Sequence, residues 1–399
     1  MFVSQRMSRI KPSPTLAVSA RAAELKAQGQ DIISLGAGEP DFDTPDHIKL
    51  AATTALSEGK TKYTAVEGTV ALRQAIVEKF KKEDDLDYDL NQIIVSAGAK
   101  QVIFNAFLAS LDPGDEVIIP APYWVSYPDM VEIAEGVPVI VRCLPEGELK
   151  LTPDLLSEAI TPQSKWLILN SPNNPSGMAY SRKELEALAE VIRGVPHLNV
   201  ISDDIYERLI FDGLKFATLA QVAPDLKDRI LTVNGVSKTY AMTGWRIGYG
   251  AGPLELIDVM TTLQSQSTSN ACTISQAAAV AALKGSQDFL KEWSKVYTER
   301  RNAAYEILSQ TPGLHCFRPH GAFYLYPSCV ELMGKKPPTG LIISSDTDVA
   351  TYLLDSVGVA VVPGVSFGLS PYFRISYATD TKLLLEGCRR ISQALSLLR

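Results

Sequence analysis

Between residues 92 and 235 the chain alternates short apolar runs with longer stretches whose apolar residues recur at helical spacing. QIIVS (92–96), DEVIIP (115–120), VPVIVRCL (137–144), KWLILN (165–170), LNVISD (198–203) and RILTVNG (229–235) predict strands. Most are apolar throughout instead of alternating, the pattern of a parallel sheet covered on both faces. TPDHIKLAATTALSEG (44–59) predicts a helix with a Thr-Pro start and a Gly stop. SRKELEALAEVIR (181–193) predicts another, with Ser181 three residues before Glu184 in capping-box spacing. Strand–helix alternation of this kind specifies an open α/β sheet.

After about residue 285 the texture changes. A long charged amphipathic helix (290–310) leads to GAFYLYP, VGVAVVPG and FRISYA, and TKLLLEGCRRISQALSLL closes the chain. Helices with a few short strands predict a smaller α+β domain. The expected division is a large domain over 45–288 and a small one made of 1–44 plus 289–399, beginning with an N-terminal arm.

Composition narrows the classes. The 399 residues are 46% hydrophobic and 21% charged, with a net charge of −7, ordinary for a soluble globular protein. Lys and Arg are dispersed, which argues against a nucleic-acid partner. No apolar run approaches the roughly 18 residues that cross a bilayer. The start, MFVSQRMSRIKPSPTLAV, has no apolar signal core, and a cytoplasmic location is expected. Cys143, Cys272, Cys316, Cys329 and Cys388 show no CxxC spacing, and His47, His197, His315 and His320 no metal spacing, so no metal is expected.

Candidate chemistry centres on GVSKTYAMTGWRIGYG (235–250), where Lys238 stands alone among small uncharged residues. Burial beside a cation favours the neutral amine of a nucleophile; an ordinary lysine at a strand end reads the same way in isolation. SAGAKQ (96–101) follows a strand and opens a helix, so N–H groups at Gly98, Ala99 and Lys100 would meet a phosphate. Ser237 and Arg246 would add a hydroxyl and a fork. Asp203 in SDDIY would lie at the carboxyl edge of the sheet, holding a ring nitrogen protonated or merely capping a turn. Asn174 in NSPNNPSG would donate to a phenolate oxygen, and Trp124 in APYWVSYP would stack on a flat ring or pack in the core. A buried lysine, an acid for a ring nitrogen, a phosphate cup and a stacking aromatic together describe pyridoxal 5′-phosphate.

With these residues in view, the chain resembles the class I aminotransferases of fold type I. It looks most like the bacterial aspartate aminotransferase branch that includes aspartate/prephenate aminotransferases. GAGEPDFDTP, GKTKYT, GAKQ, PYWVSYP, NSPNNPSG, SDDIY, SKTYAMTGWRIGY, GAFY and FRISYA occur in the family's order and spacing. The resemblance implies a mostly parallel seven-stranded sheet and a homodimer with shared active sites. It makes Lys238 the Schiff-base lysine and proton shuttle, and Asp203 the partner of the ring nitrogen. Tyr206 and Asn174 would hydrogen-bond the coenzyme's phenolate oxygen. Ser237, Arg246 and the 98–100 turn would hold the phosphate, joined by Tyr63 from the neighbouring subunit. Trp124 would stack on the ring, and Arg374 would clamp the substrate carboxylate, assisted by the backbone at Gly38. Departures are small: SDDIY has Asp204 where Glu is common, GAGEP replaces the frequent TAGEP, and GAK replaces GGK, so Ala99 asks whether that turn needs a glycine.

The branch implies aspartate or glutamate as amino donor and 2-oxoglutarate or oxaloacetate as acceptor, exchanged in ping-pong fashion. Lys100 would meet the acidic side chain or serve the phosphate alone. Lys11 and Thr15, in KPSPT, match an N-terminal arm that covers the site and helps fit prephenate. A lyase on the same frame, a regulator built on the fold and a dinucleotide oxidoreductase are the alternatives. Arg374 disfavours the first. The short stretch before the first motif disfavours the second. The missing G-x-G-x-x-G in a strand-turn-helix context disfavours the third.

Overall fold

The computed structural model describes residues 2–10, 12, 14–338, 340 and 342–399. All six predicted strands form: β1 (Ile93–Ser96), β2 (Glu116–Ala121), β3 (Val137–Arg142), β4 (Ser164–Asn170), β5 (Asn199–Asp203) and β6 (Ile230–Gly235). A further strand, β7 (Gly248–Ala251), completes a 7-stranded sheet of order β1-β7-β6-β5-β4-β2-β3. β7 runs antiparallel to both neighbours, and every other pair is parallel. The sheet is therefore the mostly parallel α/β sheet expected.

The apolar pattern missed β7 because its sequence, GYGA, has no β-branched residue. Space explains the glycines. A Cβ on Gly248 would strike the backbone of Gly98 and Ala99, and one on Gly250 would lie 2.8 Å from Val102. Glycine in a strand interior marks such close approach.

Successive strand residues feed opposite cores. Ile93, Val95, Ile118, Leu167 and Leu169 pack on one face, Ile94, Val117, Ile119, Trp166 and Ile168 on the other. Both faces are dry, which is why the runs are continuously apolar. β3 departs from that expectation. It is an edge strand with β2 as its one partner, and Val137 and Ile140 are exposed.

The helices follow their local signals. The 44–59 pattern forms α2 (Asp46–Ser57), after an N-terminal α1 (Pro14–Ala27). Helix α3 (Ala99–Ser110) starts at the Gly98 turn. Helix α4 (Arg182–Arg193) has its capping box: Ser181 Oγ accepts from Glu184 N at 3.3 Å, and Glu184 Oε2 accepts from Ser181 N at 2.7 Å. It buries Leu185, Leu188, Ala189 and Ile192 on one face. The two late amphipathic patterns form α5 (Phe289–Ser309) and α6 (Thr381–Ser396).

Another core joins the two ends of the chain. Ile33 and Leu35 pack with Phe323, Leu353, Ile375, Leu384 and Ile391, and Ile33–Ser34 pairs parallel with Val359–Ala360. There β8 (Tyr324–Leu325), β9 (Val362–Pro363) and β10 (Phe373–Ser376) form an antiparallel sheet of order β9-β10-β8. The same cluster takes in Ile205 and Tyr206 from the loop after β5. Six of the seven central strands end on one edge, so their following loops converge where this second core meets the sheet.

Candidate active site

That junction holds a cavity of about 360 Å³, within the range of small-molecule sites. Five of the six loops leaving the sheet edge supply part of its wall, the exception being the loop after β3. Ala99 and Lys100 come after β1, Trp124 and Tyr127 after β2, and Asn170 and Asn174 from the end of β4. Asp203 and Tyr206 come from β5 and its loop, Ser237 and Lys238 after β6, and Arg246 just before β7. Arg374 and Tyr324 enter from the small sheet, Gly36 and Gly38 from the segment after α1, and Thr15, Leu16 and Ser19 from α1 itself.

Lys238 is partly open to the cavity and donates from Nζ to the Gly38 carbonyl at 2.7 Å. Burial of its ammonium lowers its pKa to about 8; Glu39 opposes that shift, while Arg374 and Arg246 add to it. Asp203 is buried. Burial raises its carboxyl to about 6, while the Tyr127 hydroxyl, the Ile205 N–H and the Lys238 charge pull it down. Tyr127 donates to Asp203 Oδ2 at 2.5 Å, and Ile205 N donates to Oδ1 at 3.3 Å. Asn170 ties the edge together: Nδ2 donates to the Asp203 carbonyl at 2.9 Å, and Oδ1 accepts from Asn174 N at 2.9 Å.

Arg374 is 2% exposed. Nη1 donates to Asn174 Oδ1 at 2.9 Å and Nη2 to the Gly36 carbonyl at 2.6 Å, while Nε has no partner. The Gly36 carbonyl thus accepts from Arg374 and the Gly38 carbonyl from Lys238, while a Cβ at Gly38 would lie 3.9 Å from both Arg374 Nη atoms. Burial lowers the Arg374 pKa, while Tyr324, Tyr206 and Tyr326 oppose the shift. Asn174 turns its oxygen to Arg374, which leaves its amide N–H groups to donate. Tyr206, also buried, has its hydroxyl 2.8 Å from that of Tyr324.

At the phosphate end, Gly98 has φ +91°, and a Cβ there would collide with the Arg246 guanidinium. Gly98 is not in the lining itself; it backs Arg246 and opens α3. Ala99 is the first residue of α3 and has no positive φ. The glycine requirement therefore falls on 98, and alanine at 99 costs nothing. Arg246 donates to the Thr243 carbonyl at 2.9 Å and the Ala97 carbonyl at 3.0 Å. Lys100 Nζ lies 4.8 Å from the centre of the Trp124 ring and donates to Ser126 Oγ at 3.1 Å.

One expected residue stands apart. Tyr63 is 90% exposed and lies in a separate groove with Lys62, Thr268, Asn270 and Thr273. Lys11 is outside the described residues. Conversely, Tyr127, Asn170, Tyr324 and Gly36 had no assigned role, although PYWVSYP, NSPNNPSG, GAFY and GAGEPDFDTP contain them. Their only signal was proximity to motifs, because each acts by a contact with a residue far along the chain.

The residues fit pyridoxal phosphate on their own chemistry. Among the described residues, no carboxylate lies within ion-pair distance of Arg246, Arg374, Lys100 or Lys238. Four cations around one cavity with no ion pair favour anionic occupants, and a buried cation without one is costly. The N-terminus of α3, Ser237 and Arg246 provide donors for a phosphate at one end, and the fork of Arg374 suits a carboxylate at the other.

Residues 30–391 match the family described as aminotransferase class I and II. The chain belongs to that family. It is 57% identical over 393 residues to the probable aspartate/prephenate aminotransferase of Rickettsia bellii, covering 98% of each chain. The crystal structure of the aspartate aminotransferase from Rhizobium meliloti matches with a TM-score of 0.97 and 52% identity, over 100% of both chains. The aspartate aminotransferase from Thermus thermophilus with maleate matches at 0.92 and 44%, covering 99% of this chain and 100% of that one.

Proposed function

We propose that this aminotransferase moves the amino group between L-aspartate or L-glutamate and a 2-oxo acid, using pyridoxal phosphate bound through Lys238. The carrying observation is the joint placement on one cavity of Lys238, Asp203 and an Arg374 that has no carboxylate within ion-pair distance among the described residues. The relatives' names, aspartate and aspartate/prephenate aminotransferase, support the substrate class.

When bound, the coenzyme supplies an aldehyde for the amino group and an aromatic ring that takes up electron density from Cα. Lys238, with a pKa of about 8, is poised to take a proton at Nζ from the substrate Cα and to return one. Asp203 keeps a proton at the ring nitrogen. Asn174 and Tyr206 donate to the phenolate oxygen. Ser237, Arg246 and the N–H groups at 99 and 100 would hold the phosphate, and Trp124 would stack on the ring. Arg374 receives the α-carboxylate, and Lys100 the distal one of a dicarboxylic substrate. Tyr63, exposed in this chain, completes the phosphate site of a second copy, so the working unit is a homodimer. The division into 45–288 and 1–44 plus 289–399, supported by the separate cores, and a cytoplasmic location belong to the same proposal. Among the described residues, no helix is long and apolar enough to cross a membrane.

A second reading, activity on prephenate, is favoured by the position of Thr15 on α1 at the cavity and by the relative from Rickettsia bellii. Comparing kcat/KM for prephenate and oxaloacetate decides it; a ratio many orders below unity dismisses prephenate. For the main reading, Lys238→Ala is expected to lose transamination and the visible absorbance while the fold persists. Substantial remaining turnover would refute it.

A further inference from the structure

Tyr324 has no assigned role, yet it touches two functional groups at once. It is fully buried on β8, opposite Ser376 of β10. Arg374 stands two residues before Ser376 and so projects from the same face of the strand. Its guanidinium carbon lies 4.5 Å from the centre of the Tyr324 ring, and the Phe367 ring is 5.0 Å away. At the other end of the side chain, the Tyr324 hydroxyl lies 2.8 Å from that of Tyr206. A Cβ added at Gly38 would be 3.2 Å from the Tyr324 oxygen, so the loop confines this hydroxyl.

Building on the coenzyme reading above, we infer that Tyr324 is a positioning residue with two separable tasks. Its hydroxyl aims the Tyr206 phenol at the coenzyme, and its ring carries the Arg374 fork that receives the substrate carboxylate.

The hydroxyl task follows from counting protons. Burial raises both phenols above their ordinary range, so both keep their protons at neutral pH. Among the described residues, neither hydroxyl has another hydrogen-bond partner. Two protons therefore serve one shared contact, and one is left over. If Tyr206 directs its proton to an acceptor in the cavity, the pair persists only with Tyr324 donating to the Tyr206 oxygen. That donation polarises the Tyr206 O–H and strengthens the bond it makes. The ring task follows from the charge. Arg374 has no carboxylate within ion-pair distance among the described residues, so the aromatic faces beside it add to the compensation that Asn174 Oδ1 and the Gly36 carbonyl supply. They also hold its fork in one plane.

The holoenzymes of Tyr324→Phe and Tyr324→Leu test the two tasks separately, with maleate as a dicarboxylate probe. Tyr324→Phe keeps the ring and loses the oxygen. Tyr206 then donates more weakly, the anionic form of the oxygen it faces is less favoured, and the pH midpoint of the visible absorbance rises. The rise is about a few tenths of a unit, and maleate affinity stays within about twofold of wild type. Tyr324→Leu also removes the ring, and maleate binding weakens roughly three- to thirtyfold, the range of a desolvated cation–ring contact. An unmoved midpoint in Tyr324→Phe overturns the hydroxyl task, and wild-type maleate affinity in Tyr324→Leu overturns the ring task. Parallel changes in both readouts, tracking melting temperature alone, reduce Tyr324 to packing and overturn both. A wild-type protein that takes up no coenzyme sinks the underlying reading instead, and this inference with it.

Discussion

The hydroxyl of Tyr127 donates a 2.5 Å hydrogen bond to Asp203 Oδ2, and both residues are buried. Asp203 lies at the end of β5 and Tyr127 just beyond β2, so the bond crosses the sheet edge. It supports a carboxyl whose ordinary pKa of 3.8 rises to about 6 on burial. The folded state therefore holds the Asp203 proton more tightly than the unfolded chain does. The resulting stabilisation is full below pH 3.8 and is lost as pH rises through about 6. Above that, the buried charge costs on the order of 3 kcal/mol. Coenzyme-free Asp203→Asn should match wild type near the acid end and melt at a higher temperature above pH 6. Tyr127→Phe should push the declining limb to higher pH. Superimposable melting curves across this range would count against both.

Lys238 gives the opposite slope. Its pKa falls from 10.5 to about 8, so its contribution is full above 10.5 and is lost as pH falls through 8. At pH 7 the enclosed ammonium costs the coenzyme-free protein up to about 3 kcal/mol. Lys238→Met, similar in volume and uncharged, should raise the melting temperature at pH 7 while abolishing transamination. Differential scanning calorimetry checks the first part; a lower melting temperature contradicts the electrostatic reading.

Positions 98 and 99 should respond in different ways. Gly98 has φ +91° and ψ 160°, a region that costs a side-chain-bearing residue about 1–3 kcal/mol, and its Cβ would displace Arg246. Gly98→Ala should lose stability and weaken coenzyme retention. Ala99→Gly should merely loosen the first turn of α3, by about 1 kcal/mol or less. Coenzyme titration of the two apoproteins separates them. Equal affinities would mean that the Gly98–Arg246 contact has no part in binding.

Arg374→Lys keeps a cation and discards the planar fork. One charge-assisted hydrogen bond is worth about 1.5–3 kcal/mol, so kcat/KM for aspartate should fall roughly ten- to hundredfold. Steady-state kinetics with saturating coenzyme measure it. Retention of wild-type kcat/KM would remove Arg374 from carboxylate recognition.

Tyr63 carries the dimer proposal. Tyr63→Phe should weaken coenzyme binding about tenfold, the loss of one hydrogen bond to a charged group. Sedimentation of the wild-type protein should show a dimer. A stable, fully active monomer would defeat the shared-site arrangement.

Local pattern carried much of this protein. The continuous apolar runs of β1, β2, β4, β5 and β6 state that both sheet faces are covered, and the spacing of Ser181 and Glu184 states where α4 begins. The linear motifs around Lys238, Asp203 and Asn174 likewise suffice to suggest the coenzyme, because each side chain sits at a loop that a strand end positions. The glycine strand β7 was invisible, since its residues are chosen for the backbone of α3 that passes against it. Nor could spacing show that β3 lies at an edge, that the Gly36 carbonyl accepts from Arg374 and the Gly38 carbonyl from Lys238, or that Tyr127 meets Asp203 and Tyr324 meets Tyr206. Arg374 and Asn174 are 200 positions apart, as are Lys238 and Gly38. Periodicity tells a residue which way to face within its own element. Which distant group it then meets, and so how far burial shifts its proton affinity, follows from the register of the sheets and the seating of one core on the other.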